Sequence, residues 1–368
     1  MINFELVGTL KAVKDKDDFH AWEVRDFGSG WQTTRYRFNV ISGNNRFMCE
    51  IGGGKWADDS KNKIFTLSRA AAGEKPEKME VAWADRRNPE IIEKVAGFRI
   101  YTCSLLTLDE AKEMEKEEAN KKNHQYIEPT EYAALVKRVM DSDKYTNTKF
   151  KIQGTIDFQY SEKNNQYYKT MTVNKIYKVA DDTPCKSEIT INAFYTVDSI
   201  NTDSFDETKK YYFNCYTDQY FSTVKENRFV PVSLVIKGDG DNEKLANAFK
   251  KKLTAFDDEA TVRKINLVCD AINGSESVAI TYDDLSDETK ENVDLGLISL
   301  EDAIKGLGGN MMGDSISEYR IKSYAKSSAS GSEATVYTEE DLKKLPIKSE
   351  EVKEIIEDVF PEDEDDEI

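Results

Sequence analysis

Between residues 1 and 105 hydrophobic positions recur at every second residue, in short runs broken by turn signals, as in strands with one buried face. Phe4, Leu6 and Gly8 open one run, and Trp22-Glu23-Val24 lies in another. Gly28-Ser29-Gly30 marks a turn before 32–40, where Arg35, Arg37 and Asn39 share one face and Tyr36, Phe38 and Val40 the other. Ser42-Gly43-Asn44-Asn45 closes a hairpin into 46–51, and Gly52-Gly53-Gly54 breaks the pattern. Further strands are predicted at 64–67, 80–83 and 97–103, which makes the first unit a small barrel or sandwich.

From 107 to 142 the period lengthens. Thr107 or Asp109 caps a helix running through 118, and Pro129-Thr130 with Glu131 starts another. Alternation returns near Tyr145. The run 150–158 contains Gly154, a device for bending a barrel strand, and 163–166 is a turn into 167–179. Strands follow at 188–195, 210–216 and 230–237, then an amphipathic helix at 241–256. Two more strands, 262–272 and 277–281, flank Asn273-Gly274. Ser286 and Ser299 start helices, Gly308-Gly309 ends the second, and 315–324 reads as a returning strand. Residues 326–333 have linker composition, and a short helix at 338–344 or 349–358 forms only transiently in a mobile end. The expected fold is mainly β with α additions. A first β-barrel covers 1–105, a helical connector 106–144, a second barrel 145–281, a helical appendix 282–325, and a flexible linker and acidic tail 326–368.

Charge sharpens this division. The 368-residue chain carries −18, and residues 350–368 alone hold eleven acids and one lysine. The two strand-rich units are slightly cationic, at +2 for 1–105 and +2 for 144–238. Segregated charge of this kind lets a polyanion find a local cationic groove on an acidic protein. No run of about 18 apolar residues exists, so no membrane span or membrane partner is expected. The first residues lack a basic region followed by an apolar one, and the five scattered cysteines read as incidental thiols in a reducing cytoplasm.

Enzyme chemistry is poorly represented. There is no phosphate-cradling loop, nucleophile elbow or His-Glu-x-x-His, and two histidines give no zinc-ligand spacing. Asp283, Asp284, Asp287 and Asp294 read as helix-start acids before a metal cluster, and Gly306 to Gly309 as a helix stop. No catalytic residue, metal or cofactor is expected. Binding chemistry is richer, because proteins that hold single strands interleave aromatic and cationic side chains along a groove. The first unit offers Trp31, Arg35, Arg37, Arg46, Lys55 and Trp56. The second offers Tyr160, Tyr167, Tyr168, Lys169, Tyr177 and Lys178, with Tyr220, Phe221, Lys225 and Arg228 in a later loop. Alternation leaves open whether each aromatic packs inward or stacks a base. The tail reads as a disordered interaction segment, with Val359 and Phe360 as an apolar anchor before Glu362, Asp363, Glu364, Asp365, Asp366, Glu367 and Ile368.

The strand–turn–strand run from Phe4 to Ile51, the second unit from Phe150 and the acidic end together resemble single-stranded DNA-binding proteins of the OB-fold kind, particularly divergent ones encoded by bacteriophages. The segment 294–302, with Gly313-Asp314-Ser315 and Glu318-Tyr319-Arg320, also looks like phage replication-module proteins. Bacterial proteins of this type end in acids followed by Pro-Phe; here Phe360-Pro361 precede the acids and Ile368 is last. The resemblance implies two OB-like barrels and a non-enzymatic, cytoplasmic protein that coats single-stranded DNA in replication or recombination. Its acidic tail would lower idle affinity and recruit replication or recombination proteins. RNA stays an alternative ligand. A reading from another class is a structural or adaptor protein, virion-associated, whose β domains bind protein. Exposure of Trp31, Trp56 or Tyr168 beside arginines separates the two.

Overall fold

The computed structural model describes every residue except 18, 72, 204, 239–242, 257–260, 280–281, 283–284, 307–309, 326–330 and 348–368. Ten strands carry the architecture: β1 (Ile2–Ala12), β2 (Trp31–Ser42), β3 (Asn45–Trp56), β4 (Lys149–Ser161), β5 (Gln166–Lys178), β6 (Lys186–Tyr195), β7 (Lys210–Phe221), β8 (Glu226–Lys237), β9 (Arg263–Ala279) and β10 (Asn310–Tyr324). Three helices pack against these strands: α1 (Pro129–Met140), α2 (Glu243–Thr254) and α3 (Glu339–Lys343).

The first five strands close on themselves. β1 runs antiparallel to β2 (Thr9↔Ile41) and to β4 (Gly8↔Phe150), and β2 pairs with β3 from Trp31↔Trp56 to Ser42↔Asn45. β5 pairs with β4 and returns to β3 in parallel at Met171↔Cys49. The next five repeat the plan. β6 meets β7 (Phe194↔Tyr216) and β9, β7 pairs with β8, β9 pairs with β10, and β10 lies parallel to β8 at Val235↔Arg320. A five-stranded Greek-key barrel is the OB architecture. The chain is thus mainly β with helical additions and contains two OB-like barrels. They are joined through their first strands, from Ile2↔Ile191 to Val7↔Lys186, and one apolar core runs through both.

Pairing apportions the strands differently from the alternation pattern. Residues 149–178, expected to open a second barrel at 145, supply the fourth and fifth strands of the first. The strand at 310–324, expected in a helical appendix, is the fifth strand of the second. Segment 106–144 is therefore an insertion within barrel one and not a connector between barrels. The physical reason is that alternation reports a strand and the face it buries, but not its partner. Parallel third and fifth strands also need a long crossover, which hides their kinship in the sequence. The expected strands at 262–272 and 277–281 are one strand, β9, and β3 runs through Gly52-Gly53-Gly54 to Trp56.

Each crossover carries a helix onto its barrel. α1 begins at Pro129, and the Glu128 carboxylate accepts from Thr130 N (2.9 Å) and Glu131 N (2.8 Å), satisfying two otherwise orphaned amides. Tyr132, Ala133, Leu135, Val136 and Val139 then form one buried stripe. α2 buries Ala246, Phe249 and Leu253 in the same way. The helix expected from 107 to 118 is two helices, Leu108–Glu113, with a Thr107–Glu110 capping box, and Lys116–Lys122. Gly154 is needed where β4 bends: a Cβ there would lie 1.9 Å from Thr172 O and 2.8 Å from the Phe4 ring. The hairpin of Lys63–Leu67 and Lys78–Ala82 stands beside the barrel on a small core of Val81, Ile92, Val95, Ile100 and Ile127.

Of the segment read as a mobile end, residues 331–347 are ordered on barrel two, with α3 docked through Leu342. Cys49, Cys103, Cys215 and Cys269 are buried and Cys185 is exposed, all as free thiols. No helix among the described residues is long and apolar enough to cross a membrane.

Candidate nucleic-acid interface

The outer face of β2 follows its alternation at Arg35 and Arg37 but not at Asn39, which is buried at 4% exposure. Tyr36, Phe38 and Val40 enter the core, and Arg35 and Arg37 point outward. The two arginines differ in freedom. Arg37 is 13% exposed, lies 3.1 Å from Glu23 and 3.0 Å from Glu50, donates to His20 O (3.0 Å) and covers the Phe19 ring at 5.1 Å. Arg35 is 40% exposed and approaches Glu50 only at 3.8 Å. Arg35 can take a phosphate without surrendering a close partner, whereas Arg37 fastens β2 to its neighbours. Arg46 is exposed farther along β3, near exposed Met48.

The far end of this face opens into a groove of about 420 Å³ lined by Trp31, Trp56, Trp83, Lys61, Phe65 and Arg99 among others. Trp31 and Trp56 are register partners whose rings meet edge-on at 5.4 Å. A Cβ on Gly54 would lie 2.4 Å from the Trp31 ring, so the glycine lets the indole lie down on β3. Asn62 holds the strand end, accepting from Trp56 N (2.8 Å) and donating to Trp56 O (2.9 Å). Lys61 stands 5.9 Å over Trp56, and Lys55 and Arg86 stand 5.8 and 4.3 Å from the Trp83 ring. Behind them Glu131 of α1 receives Arg86 (2.9 Å) and Arg87 (2.8 Å). Burial works to raise the Glu131 carboxyl, but hydrogen bonds from Arg87 and Arg86 outweigh it and leave its pKa below the usual value.

The tyrosines lie at the β4–β5 hairpin. Tyr160 and Tyr167 rings are 5.0 Å apart, Tyr160 donates to Asn165 Oδ1 (2.6 Å), and exposed Tyr168 accepts from Asn164 Nδ2 (2.6 Å). Lys169 stands 5.1 Å over Tyr319 of β10. This hairpin abuts the β7–β8 hairpin of barrel two. Tyr167 and Phe221 are 6.4 Å apart, and the Gln219 amide exchanges two hydrogen bonds with the Phe158 backbone (2.8 and 2.7 Å). There Tyr220 is exposed, Lys225 sits in the turn at φ 56°, and Arg228 pairs with Glu226.

Two candidates fall elsewhere. Tyr177 lies under Lys151 at 5.4 Å and Lys178 is bound to Glu110 at 2.6 Å. Tyr177 lies ten residues of extended strand from Tyr167 and Lys178 nine from Lys169, about 30 Å in each case. The remaining first-barrel candidates come from strands two and three and the four–five hairpin of one barrel, the surface and loop that OB-folds use for oligonucleotides. Trp83, Lys61, Phe65 and Arg99 were missed. A signal for Trp83 was present, because Trp83-Ala84-Asp85-Arg86-Arg87 sets a tryptophan beside two arginines. Val359, Phe360 and the acids 362–367 with Ile368 lie outside the described residues, as do Asp283, Asp284, Gly308 and Gly309. Asp287 opens a Ser286-capped helix, and Asp294 accepts from the Tyr282 hydroxyl (2.8 Å).

No family model matches the chain, and no curated protein matches it in sequence. Among solved structures, the wild-type single-stranded DNA-binding protein from Thermus aquaticus aligns at 7% identity, over 74% of this chain and 85% of that one, with a TM-score of 0.31. A deletion mutant of the same protein aligns at 8% identity over 74% and 87%, also with a TM-score of 0.31. At that score and identity these likenesses carry no weight beyond themselves.

Proposed function

We propose that the protein binds single-stranded DNA without sequence preference, through the groove and outer face of its first barrel. One observation carries the reading: Trp31, Trp56 and Trp83 line a single open groove together with Lys61 and Arg99. Bases stack on any of the rings because every base has a π-face, and the cations neutralise phosphates between stacks. Tyr168 is exposed, and Trp31 and Trp56 are half-buried in a groove that Arg99 also lines, which favours a nucleic acid over an adaptor, for which all three rings would be buried. The reading has no catalytic step. It places the protein as a strand-coating factor in replication or recombination, cytoplasmic in a host cell if phage-encoded. The acidic tail lowers idle affinity and steers partner proteins.

Fluorescence anisotropy of labelled oligo-dT at low and moderate salt tests this. Salt-sensitive binding by the full chain, lost in the Trp31→Ala/Trp56→Ala double variant, is expected. Absence of binding at low salt overturns the reading, and equal affinity for duplex DNA refutes its strand preference.

A further inference from the structure

Barrel two has its own row of outward aromatics. Phe194 of β6 is the register partner of Tyr216 of β7, and Phe229 of β8 lies 4.9 Å from Phe194, ring to ring. Lys264 Nζ stands 5.7 Å over Phe194. Tyr220, on the same face of β7 by alternation, carries the row out to the hairpin that abuts barrel one. This is the surface on which a barrel of this architecture holds an oligonucleotide, and it has the same ingredients as the groove of barrel one.

It is nevertheless closed. Phe194 and Phe229 are buried because residues 332–345 lie across them. Glu333 and Ala334 pair with Lys264 and Arg263, and Thr335 donates to Val262 O from its amide (3.1 Å) and hydroxyl (2.8 Å). The Tyr337 ring then meets Phe229 at 4.9 Å and Phe194 at 5.8 Å, edge-on to both. α3 drops Leu342, 2% exposed, into the same cluster, and Leu345 O accepts from Arg228 Nε (3.4 Å). The Tyr337 ring thus holds a place on Phe194 and Phe229 that a base would take. Arg263 also donates to Ser332 Oγ (2.9 Å) and O (3.0 Å), but the segment's own secondary structure is two strand pairs and a five-residue helix, too short to persist unless docked. Val336, between Thr335 and Tyr337, is almost fully exposed.

We propose that Phe194, Tyr216, Phe229, Lys264 and Arg228 form a second single-strand subsite, occupied in the free protein by the chain's own residues 332–345 and exchanged for a strand long enough to pass from barrel one over Tyr220. This rests on strand binding by barrel one as proposed under the function. Amide hydrogen exchange of the full-length protein tests it, with a short oligo-dT that fills barrel one and with a long one. The short strand protects residues around Trp31, Trp56 and Trp83 and leaves 335–342 unchanged, whereas the long strand protects the β6–β8 face and deprotects 335–342. Unchanged or increased protection of 335–342 with saturating long strand, while barrel one is protected, overturns the subsite and spares the function. No protection with either strand overturns the function itself. As a second measurement, Leu342→Asp in the full chain is expected to raise affinity for the long strand about tenfold and not for the short one, as releasing an occluded state does. Equal effects on both lengths would reject the proposal.

Discussion

Trp31 and Trp83 reach the same groove from different parts of the chain, one at the start of β2 and the other after the small hairpin, so their removal tests the groove as a unit. Each stack is worth ~1–3 kcal/mol. Trp31→Ala and Trp83→Ala are each expected to weaken oligo-dT binding by about 5- to 150-fold. The arginines on the neighbouring face make a sharper comparison, since sequence alternation set both on one face and could not tell them apart. Arg35→Ala should lower the slope of log affinity on log salt by about 0.7, one phosphate contact on a single strand, with little change in Tm. Arg37→Ala leaves Glu23 and Glu50 without their shared cation, a loss of about 1.5–3 kcal/mol for hydrogen bonds to charged groups, read as a lower Tm in thermal melts. What the sequence could show here was the side of the strand. What it could not show was Glu23, brought to Arg37 from the flanking strand Trp22–Asp26.

At the scale of elements, alternation found part of every barrel strand, but it stopped β3 at 51 and β7 at 216, five residues short of each end, and split β9 in two. The end of β3 is a case whose cause lies in its neighbours. Gly52-Gly53-Gly54 looked like an interruption because a strand wants side chains, yet Gly53 faces Pro129 of α1 and Gly54 lies under Trp31. Gly154 was legible as a bend, and Gly154→Ala is expected to destabilise the barrel by ~3 kcal/mol or more, since its Cβ meets backbone oxygen that cannot move aside. Denaturant unfolding, with m unchanged, measures it. The junction of α1 with the Trp83 loop supplies a pH response. Glu131 has a folded pKa below the ordinary 4.5, so its contribution is fully present above that value and is lost as pH falls through the lowered one. Arg86, no longer held by Glu131, is then free to leave the Trp83 ring. Acidification through the lowered pKa should therefore red-shift Trp83 emission, and in Glu131→Gln the shift should already be present at pH 7.

For the whole molecule, the kind and number of barrels were legible in the sequence, but the grouping of their strands was not, because a parallel pairing such as β3 with β5 leaves no mark on either strand's periodicity. The correct grouping changes where a ligand can lie. Candidates that had seemed divided between two barrels, Arg35 and Tyr168 for example, belong to one, and the second barrel's equivalent face is covered by the chain itself. The charge distribution then becomes a question of range. Residues 350–368 carry −10 of the net −18, and they leave from the end of the segment that crosses barrel two. Their repulsion of a polyanion reaches about 30 Å at 0.01 M salt and about 10 Å at 0.1 M. Truncation after Ser349 removes those charges and leaves α3 in place, so it is expected to tighten oligo-dT binding several-fold at 0.01 M salt and much less at 0.1 M. A gain that persists undiminished at 0.1 M points instead to the tail lying in the groove at short range, where salt screens it poorly. No gain at either ionic strength removes the tail from the binding equilibrium and leaves it only a recruiting role.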